Sequence, residues 1–365
     1  MRRKKEIVIG LITGLAAIAP LAAGAQDAAL KGSGELVITT GGGTWEAAQK
    51  KAYFEPFERE TGIKIVLVPE DHAKLLASVE LGKPEADLTS INAGELAGFE
   101  KHGAVQKIDY KYFDKDTLDG MSEALKNEYG VGAVVYSVVM AYNTQDFPAS
   151  KPRPQNWAEF FDTTKFPGPR GMARCEKIVD GGDLEFAELA SGVDKDKLYP
   201  IDLDRAFKKL AQLKPSVGRW WQSGADAPQS LVNGEISVST AYNGRVYGAK
   251  KQGAPLDFTW NQSLLQYDYW IVMKGSPNYD NAMKFLAFIS KAKPQAVFAE
   301  EITYGPTNNK AYEFIKSDLA DWLPGSPKIV KQQIYQNYAW WNEVGSDGKS
   351  NWERAIARCS ALLSQ

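Results

Sequence analysis

"ELVITTGGGTWEAAQKKAYFEPFERETGIKIVLVP", residues 35–69, reads as a compact α/β unit. Leu36 to Thr40 is rich in β-formers, and Gly41-Gly42-Gly43 ends that strand. Thr44 is placed to cap the helix that follows, whose apolar positions fall at Ala48, Ala52, Phe54 and Phe57. Gly62 stops the helix, and Ile63 to Val68 forms the next strand. A further helix pattern runs from Ala73 to Leu81, ahead of "ADLTSINAGE", residues 86–95. Strands alternating with helices build a mostly parallel sheet. Ligands on such sheets bind beyond the carboxyl ends of the strands. Gly41–Trp45 and Ser90–Gly94 are therefore expected at the mouth of a site.

Downstream, a long β-rich segment spans Val131 to Phe147, and the Pro-rich "PASKPRPQNW" follows it. This reads as a crossing into a second domain, in keeping with a chain of 365 residues. Residues 151–262 again alternate helix and strand patterns, among them "PIDLDRAFKKLAQL" and "GEISVSTAYNGR". The strand "YDYWIVM" reads as the return crossing, and helices complete the chain. No internal repeat or low-complexity tract is present.

Composition is that of an ordinary globular protein, 44% hydrophobic and 24% charged. The net charge of −2 gives no excess of cations for a nucleic-acid backbone. Arg2, Arg3, Lys4 and Lys5 precede an apolar run from Ile7 to Leu21 and the small residues Ala23-Gly24-Ala25. This pattern predicts a secretory signal peptide over residues 1–25, cleaved after Ala25, rather than a membrane anchor. Its removal takes four positive charges and one negative charge, so the mature chain carries −5. Both cysteines, Cys175 and Cys359, remain after cleavage. An oxidising compartment permits a bridge between them, and two free buried thiols are the alternative.

Much chemistry has no signature here. There are two histidines, His72 and His102, both in polar contexts that read as surface positions. With two distant cysteines they make a zinc site improbable. No G-x-S-x-G, P-loop or H-E-x-x-H occurs. The expectation is a binding protein with no cofactor, no metal and no catalytic residues; a secreted enzyme of the same architecture is the competing class.

Several segments, taken in order, carry a resemblance: "GGGTWEAAQKKAYFEPFERETGIKI", "ADLTSINAGELAGFEKHGAVQKID", "VVMAYNT", "NWAEFFDTTKFPGPRG", "GEISVSTAYNGR" and "YGPTNN". Behind a signal peptide, they resemble the bacterial periplasmic solute-binding proteins of ABC importers, of the spermidine/putrescine-binding class. The resemblance covers essentially all of the mature chain. It implies a type II periplasmic binding protein fold, two α/β lobes joined by two hinge strands, with the ligand enclosed by hinge closure. On that reading residues 26–140 and 271–320 form the first lobe and 141–270 the second. Residues 321–365 supply C-terminal helices packing across both, and the crossings fall near 138–145 and 266–273. The implied partners are a small-molecule ligand and a membrane permease, with no nucleic acid, for a monomer in the periplasm.

Within the resemblance, Asp268 in "QYDYW" falls where polyamine binders place the aspartate that takes a ligand ammonium. A carboxylate boxed by Tyr267, Tyr269 and Trp270 suits a cation, and aromatic faces add cation–π attraction of about 0.5–2 kcal/mol. Arg245 is the departure. Polyamine-binding relatives carry a small neutral residue after "WNG", whereas "AYNGR" keeps an aromatic wall as Tyr242 and adds a guanidinium. The segment "MARCEK", with Arg174, stands where those relatives place further acids. Arg grips carboxylates bidentately. A zwitterionic ω-amino acid such as γ-aminobutyrate is therefore the favoured ligand, and putrescine or spermidine the alternative. Ferric ion is disfavoured, since no obvious tyrosine pair is supplied. The remaining candidate ligand-binding residues are Thr44, Trp45, Asn92, Trp221, Trp270, Tyr304 and Asn308.

Overall fold

The structure, a computed structural model, describes residues 30–364. The signal-peptide reading lies outside them. Among them no helix is long and apolar enough to cross a membrane.

The opening unit folds much as its pattern predicts. Strand β1 spans Glu35–Thr40, helix α1 Gly43–Gln49, helix α2 Glu55–Thr61 and strand β2 Lys64–Pro69. Gly62 ends α2 in the left-handed region, φ 86°, where glycine pays no Cβ penalty. Thr44 is not the cap. Gly42, at φ 68°, holds that position, and Thr44 lies in the first turn with its hydroxyl free for another use. Helix α3, His72–Glu80, is capped by Asp71, whose side chain accepts from the Lys74 amide at 3.0 Å. Strand β3 follows at Leu88–Asn92 and the short β4 at Val105–Gln106.

Two long strands carry the architecture: β5, Gly130–Asn143, and β9, Leu256–Met273. They pair antiparallel from Gly130↔Ile271 to Asn143↔Leu256. Between them in sequence lie β6 (Arg170–Ala173), helix α4 (Asp183–Ala190), helix α5 (Leu203–Leu213), β7 (Val217–Trp221), β8 (Val238–Tyr242) and helix α6 (Asn243–Lys251). The spatial order is β2-β1-β3-β9-β5-β8-β6-β7. On one side of the central pair, β1 runs parallel to β2 and β3. On the other, β6 runs parallel to β7 and β8. β5 is buried along its whole length, as a strand flanked by other strands and covered on both faces must be, and it accordingly reads as an unbroken apolar run.

Each side has its own core. Leu36, Ile38, Phe57, Leu88 and Phe285 pack together under helix α7, Tyr279–Ile289. Trp157, Phe160, Met172, Phe186 and Leu210 pack on the far side. There α5 buries Ala206, Phe207, Leu210 and Leu213, the stripe its sequence spacing dictates. The C-terminal segment is tied down at several points. Strand β10, Ile334–Tyr335, pairs with β9. The Trp341 indole donates to buried Glu185 at 2.9 Å, and Asn342 donates to the Gly94 carbonyl at 3.0 Å. Helix α8, Asn351–Leu363, opens on a Ser350/Glu353 capping box. It is joined covalently to the middle of the chain by a Cys175–Cys359 disulfide, Cα–Cα 5.4 Å. Of the two alternatives for the cysteines, the bridge is the one realised.

Candidate functional site

The carboxyl ends of β1, β2, β3, β6, β7 and β8 converge on one cleft of about 380 Å³. This is where parallel strands leave room for a ligand, because the chain departs from the sheet there into loops and helix starts. Asp268 forms the floor. On β9 it sits opposite Asn92 of β3 and Val134 of β5. Its Oδ1 is shut off from solvent and has no hydrogen-bond partner among the described residues. The Tyr136 hydroxyl accepts from Asn92 Nδ2 at 2.7 Å, and its proximity favours the charged form of the Asp268 carboxyl. Burial raises the Asp268 carboxyl well above the usual carboxylate range, against the effect of Tyr136, and the charges of Glu95, Asp180 and Glu70 push the same way as burial.

A chain of aromatic rings walls the cleft. Trp45 meets Tyr304 at 6.3 Å between centroids, Tyr304 meets Tyr136 at 5.8 Å, Tyr136 meets Tyr242 at 5.6 Å, and Tyr242 meets Trp221 at 5.7 Å. Trp221 is fixed from behind by a 3.0 Å bond from its indole to Thr240 Oγ1. Small residues make the close approach possible. A Cβ on Gly244 would stand 2.5 Å from the Tyr304 ring.

Arg245 enters from the first turn of α6. Asn243 fixes that turn, accepting from the Ser137 amide at 2.9 Å and donating to the Thr303 carbonyl at 3.2 Å. The half-buried guanidinium reaches across to Thr44 Oγ1 at 3.4 Å, and its charge favours the ionised form of Tyr304 beside it. Among the described residues no carboxylate pairs with it.

The cleft holds a second group of charges. His72 lies between Glu70 (3.5 Å) and Glu95 (3.4 Å). Burial alone would lower its pKa, but Glu95 and Glu70 outweigh burial and raise it. Glu95 is lowered in turn, burial being outweighed by His72 and Lys177. On the opposite wall Lys177 pairs with Asp180 Oδ2 at 3.1 Å, while Asp180 Oδ1 has no partner.

Of the sequence-predicted residues, the structure brings Trp45, Asn92, Trp221, Tyr242, Arg245, Asp268 and Tyr304 to the cleft. Thr44 touches it through Arg245. Two it does not. Trp270 shares a sheet face with Asp268 but lies one pleat further along, in the core against Phe285 at 5.8 Å. Asn308 is buried and spent structurally, donating to the Ser290 carbonyl at 2.9 Å and accepting from the Lys310 amide at 3.0 Å. Nor does the predicted box close around Asp268 as drawn: neighbours on a strand face opposite ways, and Tyr269 packs into another cluster with Phe99.

Cleft residues that escaped the sequence reading include Tyr136 and Lys177 and, most consequentially for its charge, Glu70, His72, Glu95 and Asp180. His72 was expected at the surface. It follows directly on the loop from β2, however, and any residue there faces the cleft, whatever its polarity. His102 is the surface histidine, 3.0 Å from Glu80. After "FPGPRG" the sequence offers Arg174 where polyamine-binding relatives place acids. Arg174 does turn outward to Glu176 at 3.4 Å, but Asp180, past the turn Cys175–Lys177, is in the cleft. The signal that marks Glu70, His72, Glu95 and Asp180 alike is position beyond a strand's carboxyl end.

The chain matches the family described as bacterial extracellular solute-binding protein over residues 52–324. It is 35% identical, over 89% of its own length and 92% of the relative's, to a gamma-aminobutyric acid-binding protein of Pseudomonas aeruginosa. It is 22% identical to the spermidine/putrescine-binding periplasmic protein of Escherichia coli, over 83% of this chain and 86% of that one. An ABC transporter substrate-binding protein from Bradyrhizobium japonicum superposes with a TM-score of 0.81 at 35% identity, over 90% of this chain and 99% of that chain.

Proposed function

The chain belongs to the bacterial extracellular solute-binding protein family, and we propose that it is the periplasmic binding component of an ABC importer for a zwitterionic ω-amino acid such as γ-aminobutyrate. One observation carries the choice of ligand. Other cleft acids and bases are engaged with one another or share a partner: His72 lies between Glu70 and Glu95, and Lys177 pairs with Asp180 through one of its two oxygens. Among the described residues, the Asp268 carboxylate and the Arg245 guanidinium are in no ion pair with another side chain. A solute with an ammonium at one end and a carboxylate at the other satisfies both.

The aromatic chain from Trp45 to Trp221 suits the methylenes between those ends. The Tyr136 hydroxyl, held by Asn92, favours the charged form of the carboxylate that receives the amine. Capture draws the walls together, since Arg245 stands on α6 and its existing partner Thr44 on α1. The closed form then presents itself to a permease in the inner membrane. The likeness to the gamma-aminobutyric acid-binding protein supports this choice over a polyamine, for which identity is lower.

The test is a ligand panel. γ-Aminobutyrate should raise the melting temperature of the wild type, because a ligand that binds only the folded state stabilises it. In Arg245→Ala its affinity should fall by about ten- to a hundredfold, below the range for fully buried pairs because Arg245 is half-buried. Preference for γ-aminobutyrate over n-butylamine should vanish in the same variant. Equal affinity of the wild type for the two ligands defeats the proposal.

A further inference from the structure

The cleft has room to spare. Its 380 Å³ equals the liquid volume of roughly a dozen waters, more than a four-carbon amino acid needs. It also has more acid than one amine requires. Asp180 is almost completely buried, lines the same cavity as Asp268, and leaves its Oδ1 without a partner. A cavity with two such carboxylates is suited to a molecule carrying an amine at each end.

Lys177 answers that arrangement. Its Nζ lies 3.1 Å from Asp180 Oδ2 and feels the charges of Glu95 and Asp268 as well. A lysine ammonium is the same compact point charge, with the same three donors, as the end of an alkyl diamine. The short turn that carries it, Cys175–Lys177, is anchored to α8 by the disulfide, so its position is built in. Resting on the reading that Asp268 takes the ligand amine, we propose that Lys177 determines specificity: its tethered ammonium occupies the second amine position of the cleft and so excludes diamines. Discrimination by a like charge placed against the wrong ligand is a recognised device. Arg245 then selects the carboxylate at one end, while Lys177 closes the site to a second cation at the other.

Calorimetric titration of the full mature chain with γ-aminobutyrate and with 1,4-diaminobutane tests this in the wild type, Lys177→Gln, Lys177→Arg and Lys177→Gln/Asp180→Asn. Diamine affinity should rise by roughly ten- to a hundredfold in Lys177→Gln, while γ-aminobutyrate affinity changes by no more than about threefold. Lys177→Arg should still exclude the diamine, and the double variant should lose the gain because the receiving carboxylate is gone. No gain of diamine affinity in Lys177→Gln overturns the inference. So does loss of both ligands by a variant that still unfolds cooperatively, because Lys177 would then belong to the amino-acid site itself. A wild type that binds no ω-amino acid overturns the underlying reading and the inference with it; failure confined to the variants overturns the role of Lys177 alone.

Discussion

Asp268→Asn should weaken γ-aminobutyrate binding by about thirtyfold to several-thousandfold, corresponding to roughly 2–5 kcal/mol for removing one partner of a desolvated charge pair. The substitution keeps size and shape. What it removes is the charge and the solvent-free Oδ1. A proton balance identifies the mechanism. Without a cation, burial holds the Asp268 carboxyl well above its ordinary pKa, so a proton is retained at pH values where an exposed aspartate has lost it. A ligand ammonium favours the charged form and expels that proton. Wild-type affinity should therefore fall as pH drops through the window between the ordinary aspartate value and the raised one. Binding in that window should release protons, seen as a dependence of the apparent enthalpy on buffer ionisation. Asp268→Asn should show neither effect. Stability of the free protein carries the opposite sign: the folded state holds the proton more tightly than the unfolded chain, so this group's contribution declines as pH rises through the same window. Unchanged affinity in Asp268→Asn would mean that the amine is held elsewhere.

The second large effect is on stability. The Cys175–Cys359 bond closes a loop with a sequence separation of 184. Chain-entropy reasoning assigns such a loop about 5 kcal/mol, an upper figure because part of the gain is commonly lost to unfolded-state structure. Cys175→Ser/Cys359→Ser should thus lower the free energy of denaturant unfolding by several kcal/mol. Both sulfurs are buried, so in the wild type the reductant should act only once denaturant is present. The exclusion of diamines should weaken as well, since the freed turn carries Lys177. An unchanged denaturation midpoint in the double variant would show that packing of α8 alone fixes the C-terminus.

The fold was legible because its determinants are local. The β1–α1–α2–β2 unit announces itself through Gly41-Gly42-Gly43, the apolar spacing and the stop at Gly62, and the two crossings through the apolar stretch of β5 and the aromatic and apolar end of β9. Arg245 and Asp268 stood out in the sequence because each is a lone charge among aromatic and apolar neighbours. Glu70, His72, Glu95 and Asp180 lie in polar stretches where nothing local distinguishes a cleft from a surface; only the convergence of six strand ends does so. Trp270 misled for the converse reason. Strand alternation gives its face, but not that one pleat of distance separates the cleft floor from the core. Asn308 misled because a buried asparagine and a ligand-facing one look alike until its hydrogen-bond partners are known.

The central claim is that two charges without internal partners, Asp268 on the floor and Arg245 at the rim, select a solute bearing both signs. A crystal structure of the γ-aminobutyrate complex tests it most directly. The account predicts the ligand nitrogen about 3 Å from Asp268 Oδ1 and the ligand carboxylate gripped by the Arg245 guanidinium, with the methylenes against Tyr136 and Tyr242. A ligand lying with its carboxylate away from Arg245, or an Arg245 side chain turned out to solvent over an occupied cleft, would contradict it.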